Sequence, residues 1–163
     1  MFAFRDPKRL TWFILLAGLI VAVDQVTKEI ITHAFSRYES LEVIPGFFSL
    51  THIRNTGVAF GMLAGEVTWV RTFFFSAVSV LALGIILWLF TIVSPERKGV
   101  RAAFAMIFGG ALGNLIDRLR FGEVIDFLDF YVGTFHWPAF NVADSAMSIG
   151  LGFLLLLALF GKI

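Results

Sequence analysis

The sequence predicts an all-α membrane protein: four transmembrane helices with a small extracytoplasmic subdomain of β-sheet and loop. Three observations point there. Hydrophobic residues make up 58% of the 163 positions and mean hydropathy is +0.87, above the roughly 45–50% apolar content of soluble domains. Four apolar segments approach the ~20 residues that cross a bilayer. Between them lie two longer, turn-rich loops, one with a β-prone run. The length suits one domain spanning 1–163.

Taken in order, the first span runs over about 10–26. Basic Arg5, Lys8 and Arg9 followed by an apolar run resemble a secretory leader. However, the run ends in Asp24-Gln25-Val26-Thr27-Lys28 with no convincing small-residue cleavage site, so a retained span is expected. The first outer loop, about 29–71, holds Phe47 to Arg54, a β-prone run preceded by the turn Pro45-Gly46 and followed by Asn55-Thr56-Gly57. This predicts a small sheet resting on the headgroups through Phe47, Phe48, Phe60 and Trp69. The second span covers about 72–93 without charge, and the third about 102–118. Gly109, Gly110, Ala111 and Gly113 form a small-residue face suited to close helix packing. The second outer loop, about 119–142, embeds Asp126 and Asp129 among large apolar residues. Pro138 is expected to mark the start of the fourth span, about 143–161, with Asn141 as N-cap and Asp144 in the first turn. The third and fourth spans read as short, with ends reaching into protein-lined surroundings.

Charge sets the expected direction. Arg5, Lys8, Arg9, Arg97, Lys98, Arg101 and Lys162 crowd one side within about 20 positions, while Lys28, Arg37, Arg54, Arg71, Arg118 and Arg120 are spread over roughly 70. The denser side is cytoplasmic by the positive-inside rule, which puts both termini there and the two outer loops outside.

Net charge is only +1, too little to form a basic field for nucleic acid. The absence of cysteine removes disulfides, thiol nucleophiles and cysteine-held metal clusters. His33, His52 and His136 are isolated and no His-Glu-x-x-His occurs, so no metal or other cofactor is expected. No Gly-x-Ser-x-Gly motif supports a serine nucleophile, and the Gly-x-Gly-Asp motif of presenilin-like intramembrane aspartyl proteases is absent. What remains are carboxylates at a membrane boundary, which are costly and so suggest function. Asp144 pairs on this reading with Asp126 or Asp129. The two candidates lie three apart and would face opposite sides of a strand. Asp117 is expected to pair with Arg118, and Glu123 to be a solvated loop charge. Asp24 and Lys28 suggest an i,i+4 pair, Lys28 extending toward headgroups.

Five segments then resemble the bacterial lipoprotein signal peptidase (signal peptidase II) family: Asp24-Gln25-x-x-Lys28, Asn55-x-Gly57-x-Ala59-Phe60, Gly113-Asn114-x-x-Asp117-Arg118, Val124-Ile125-Asp126-Phe127 and Pro138-Ala139-Phe140-Asn141-x-Ala143-Asp144. They occur in order from position 24 to 144, with no departure at the motif positions. The resemblance implies an inner-membrane aspartyl endopeptidase that cuts diacylglyceryl-modified prolipoproteins at the outer rim. It implies Asp126 and Asp144 as the catalytic pair, with Asn55, Gly57, Asn114, Arg118 and Asn141 around the site and Asp24 and Lys28 in support. A monomer contacting membrane lipids is expected. Arg118 and Asn114, one helical turn apart, would hold the loop carrying Asp126 or bind substrate backbone.

Two carboxylates sharing one proton can cut an amide without metal. The lipid-modified substrate would arrive from the bilayer side, with the outer sheet as a cradle and the segment before Asn55 as a lid. A small proton-linked transporter is the rival reading, since intramembrane carboxylates also relay protons. Transporters favour mid-bilayer sites and repeats, and neither is visible here. A third reading, a non-catalytic lipid-binding or assembly subunit, predicts that both aspartates are dispensable.

Overall fold

The computed structural model describes residues 7–57, 69–94 and 96–161. Arg5, Ala59, Phe60 and Lys162, used in the sequence reading, lie outside the described residues. The elements are α1 (Pro7–Ala34), β1 (Ser40–Ile44), β2 (Phe48–Asn55), α2 (Trp69–Ile92), α3 (Lys98–Phe121), β3 (Val124–Val132), β4 (Phe135–His136) and α4 (Val142–Leu159). All four helices are long and apolar enough to cross a membrane.

α3 is the hub and packs on α1, α2 and α4. Half of its most apolar stretch (50%) is buried, against 17% in each of the other three. Its glycine face explains how. A Cβ on Gly110 would collide with the Ala143 backbone oxygen of α4, and one on Gly113 would come within 2.6 Å of Asp24 Oδ2 on α1. Only hydrogen side chains let three helices meet this closely. Toward the basic end, Phe13, Ile86, Phe90 and Phe104 form an apolar core, with Phe13 and Phe90 rings 4.3 Å apart.

Two helices outrun their apolar segments. α1 continues to Ala34 rather than stopping near 26, and α3 has 24 residues, its outer end running past the short apolar stretch with Asn114 and Asp117 buried in protein. Hydropathy marks where lipid contact ends. The helices persist because their polar residues turn inward and pair with one another. α3 stops at Gly122, whose φ of 74° is the left-handed region that glycine enters freely, and its N–H donates to Arg118 O.

That stop launches β3. The sheet is antiparallel, in the order β1-β2-β3-β4. β2 is central, so the segment before Asn55 is a paired strand and not a movable lid, which corrects that expectation. One extra β2 residue between Leu50 and Ile53 makes a bulge, leaving neighbouring Thr51 and His52 both buried. Beyond it, Ile53 pairs with Asp126 and Asn55 with Val124. Ile125 and Phe127 pack with Ile31 beneath the sheet, sealing it to the bundle. Phe47 is exposed and Phe48 packs against Phe130. α4 starts at Val142, directly after the expected N-cap Asn141 and four residues past Pro138.

Candidate active site

Asn141 organises the site. Phe140 exchanges backbone hydrogen bonds with Leu128, pinning the chain ahead of α4 to β3. Asn141 therefore stands next to Asp126. Its Oδ1 accepts from Asp144 N (2.9 Å) while Asp144 Oδ2 accepts from Asn141 N (3.2 Å), a reciprocal capping box. Because Oδ1 takes a backbone N–H, Nδ2 must face the other way, and it donates to Asp126 Oδ1 at 2.8 Å. The expected N-cap and first-turn carboxylate are thus observed, and one side chain touches both aspartates.

The other amides are oriented by the same logic. Lys28 Nζ can only donate and reaches Asn114 Oδ1 at 2.9 Å, so Asn114 Nδ2 donates to Asp144 Oδ1 at 2.7 Å. Gly57 N donates to Asn55 Oδ1 at 3.0 Å, so Asn55 Nδ2 donates to Asp126 Oδ2 at 2.9 Å. Three amide groups from α3, the end of β2 and the α4 cap aim at two carboxylates from β3 and α4.

Behind them is a buried ion cluster. Lys28 Nζ lies 2.8 Å from Asp24 Oδ2 and 2.8 Å from Asp117 Oδ2, with Lys28 only 2% exposed. Asp24 Oδ1 also accepts from Ala143 N at the start of α4, and Asp117 from Ile125 N and Gln25 Nε2. The cluster ties α1, α3, β3 and α4 together at the level of the aspartates. It corrects three expectations. Lys28 does not extend toward headgroups, because two carboxylates and an amide hold it inside. Asp117 pairs with Lys28 rather than with Arg118. Glu123 is not solvated but largely buried, 3.1 Å from Arg37 Nη2.

A cavity of about 970 Å³ opens in front, lined by Asn55, Gly57, Asn114, Arg118, Asp126 and Asp144 among others. Asn141, Asp24 and Lys28 lie behind it. Arg118 is half-buried in the wall, its Nη1 donating to Asn114 O at 3.4 Å and its guanidinium 5.8 Å from the Phe75 ring centre. Among the described residues the side-chain donors to Asp126 are Asn55 and Asn141, so Arg118 and Asn114 do not hold the segment that carries it. Asp129, the rival partner, is engaged by His136 at 3.0 Å. Arg54 also lines the cavity; the sequence reading places it at a strand end and among the outer charges but not at the site. Arg54 Nε donates to His52 Nε2, leaving His52 Nδ1–H to donate to Phe35 O. Among the described residues, no three His, Asp or Glu side chains are grouped to hold a metal ion.

Asp126 is 2% exposed. Burial raises its pKa to about 7, helped by the nearby Asp144 charge and opposed by hydrogen bonds from Asn55 and Asn141 and by the positive charge of Lys28.

The family model for signal peptidase (SPase) II matches residues 16–160. The chain belongs to the signal peptidase II family. A lipoprotein signal peptidase of Desulforapulum autotrophicum is 48% identical over 97% of this chain and 98% of its own length. Another, from Geobacter sulfurreducens, is 50% identical over 86% of each. Two solved structures described as a bacterial membrane enzyme match with TM-scores of 0.82 and 0.79, each 36% identical over 91% of this chain and covering 88% and 93% of theirs. This signal peptidase II family member is therefore a multi-pass membrane protease, and the comparisons lend no support to a transporter.

Proposed function

We propose that the chain removes signal peptides from lipid-modified prolipoproteins by aspartic catalysis, with Asp126 and Asp144 as the catalytic pair. The observation that carries this reading is the shared cavity wall: two carboxylates linked through Asn141, each supplied with amide donors, where water and a peptide can meet. Asp126, with its pKa raised to about 7, is assigned the shared proton, which it carries increasingly as pH falls below neutral. Asp144 is the ionised member and takes a proton from the attacking water. The Asp126 proton passes to the carbonyl oxygen. As the resulting gem-diol collapses, Asp144 gives its newly acquired proton to the leaving nitrogen and Asp126 takes one back from a hydroxyl, so the C–N bond breaks, the amine leaves and the pair again shares one proton. The proton is a property of the pair, and the pH profile reports the pair. Asn55, Asn114 and Asn141 keep the carboxylates oriented. Asp24 and Lys28, with Asp117, hold α1 and α4 in place behind them. Arg118 and Arg54, on the cavity wall, are placed to bind substrate backbone or the developing oxyanion.

The functional unit is a monomer in the bacterial inner membrane, both termini cytoplasmic and the aspartates at the outer face. The substrate's acyl chains and signal helix remain in the bilayer and approach laterally, with the β-sheet as the cradle. Incubation of the purified chain with a prolipoprotein, lipidated and unlipidated, tests the substrate class. Signal peptide is expected from the lipidated form alone, and equal release from both forms would overturn that part of the reading.

A further inference from the structure

A second cavity, of about 560 Å³, lies at the opposite end of the bundle. Lys98 begins α3 and Asn114 stands sixteen residues on, so the two sites are separated by about 24 Å of helix at ~1.5 Å per residue. The floor of this cavity is apolar, built from Phe13 and Leu16 of α1, Phe90 of α2 and Ala105 of α3. Its α1 rim, Trp12, Leu15 and Leu19, is exposed where bilayer chains run. Lys8 and Arg9 from α1, and Lys98 and Arg101 from α3, line the same cavity. Among the described residues no acidic side chain does so, although Glu96 lies in the adjoining loop.

We propose that this groove binds an anionic diacyl phospholipid. Its phosphate sits between the cations of α1 and α3, and one acyl chain lies along Trp12, Leu16 and Leu19. The two parts of the ligand do different work. The bilayer is as apolar as the groove, so the chain contributes position and little preference. Preference comes from charge: basic pockets between membrane helices on the cytoplasmic side select anionic headgroups, and each Lys or Arg near the surface enriches them by about fivefold. A zwitterionic lipid places its own ammonium among the same four cations and gains less. The ligand would also bridge the first turns of α1 and α3. The inference does not depend on the assignment of the catalytic pair.

Trp12 is a built-in reporter. With Trp69, Trp88 and Trp137 replaced by Phe, the full chain is reconstituted in phosphatidylcholine bilayers holding equal small fractions of acyl-brominated phosphatidylglycerol or acyl-brominated phosphatidylcholine. The anionic lipid is expected to quench Trp12 with at least a fivefold higher apparent affinity. Lys98→Gln with Arg101→Gln should cut that preference by at least fivefold and leave quenching by brominated phosphatidylcholine as the control for insertion. Equal quenching by the two lipids means annular lipid only and overturns the proposal, as does a preference left unchanged by the double substitution. Native mass spectrometry of the unmutated chain from mixed bilayers makes the same comparison without any variant. Retention of one phosphatidylglycerol per chain is expected, and equal retention of both lipids contradicts it.

Discussion

Asp126 and Lys28 are both buried carriers of charge, and opposite physics governs them. Lys28 is matched by two carboxylates, so the cluster is stable as an ion network and fragile to loss of one member. Lys28→Met leaves Asp24 and Asp117 facing each other without a cation. Such a loss costs about 3–5 kcal/mol, and a marked fall in the thermal midpoint of the detergent-solubilised protein is expected; an unchanged midpoint would contradict the network. Among the described residues Asp126 has amide donors but no directly bonded cation, and burial raises its pKa to about 7. The native state then binds a proton that the unfolded chain, with its ordinary carboxylate, releases near pH 4. The sign follows: this group's contribution to stability falls as pH rises from about 4 to about 7. In the proposed mechanism activity depends on the same proton, so turnover is expected to decline as pH climbs through about 7, and a flat profile from pH 6 to 9 would contradict the shared-proton scheme. Residue types alone exposed the candidate carboxylates. The partner of each charge was hidden, because Asp117 finds Lys28 across 89 positions of chain rather than its neighbour Arg118.

At the scale of elements, the apolar segments located the four helices because lipid contact writes itself into composition. Helix ends were less legible. Asp24, Lys28, Asn114 and Asp117 look like the polar edge of a span, yet their helices continue past them because these side chains satisfy one another inside the protein. β2 was visible from Pro45-Gly46 and its β-prone run. β1 is fully exposed and carries little pattern, while β3 is buried on both faces for its first four residues and so lacks clean alternation. The α3 glycines read correctly as a packing face, but only the structure shows which partner each one admits. Gly110→Ala pushes a Cβ into the Ala143 backbone oxygen, immediately beside Asp144. A loss of about 1–3 kcal/mol, typical of overpacking, and a fall in turnover are expected from thermal and kinetic assays. Gly84→Ala on α2, where a Cβ meets nothing within 4 Å, should leave both unchanged or slightly improved. Equal effects at the two positions would show that the helix contact does not position the site.

For the molecule as a whole, the arrangement places apolar packing and cations at one end and a sheet, three amides and two carboxylates at the other. The four-helix plan with its small sheet was legible because hydropathy and motif order agree. The hydrogen-bond circuit was not, since it joins residues 55, 114, 126, 141 and 144 from separate elements. Orientation can be read directly, because the chain contains no cysteine of its own. Val132→Cys, in the exposed end of β3, should react with an impermeant maleimide in intact spheroplasts, and Glu96→Cys, in the α2–α3 loop, only after permeabilisation. The reverse pattern would invert the topology. The most direct test of the central claim is turnover of a lipidated prolipoprotein by purified Asp126→Asn and Asp144→Asn proteins that retain the thermal unfolding of the parent chain. Each is expected to lose at least about 10²–10⁴-fold in rate, the usual worth of a positioned acid or base. Parent-like turnover by either folded variant would contradict catalysis by this pair.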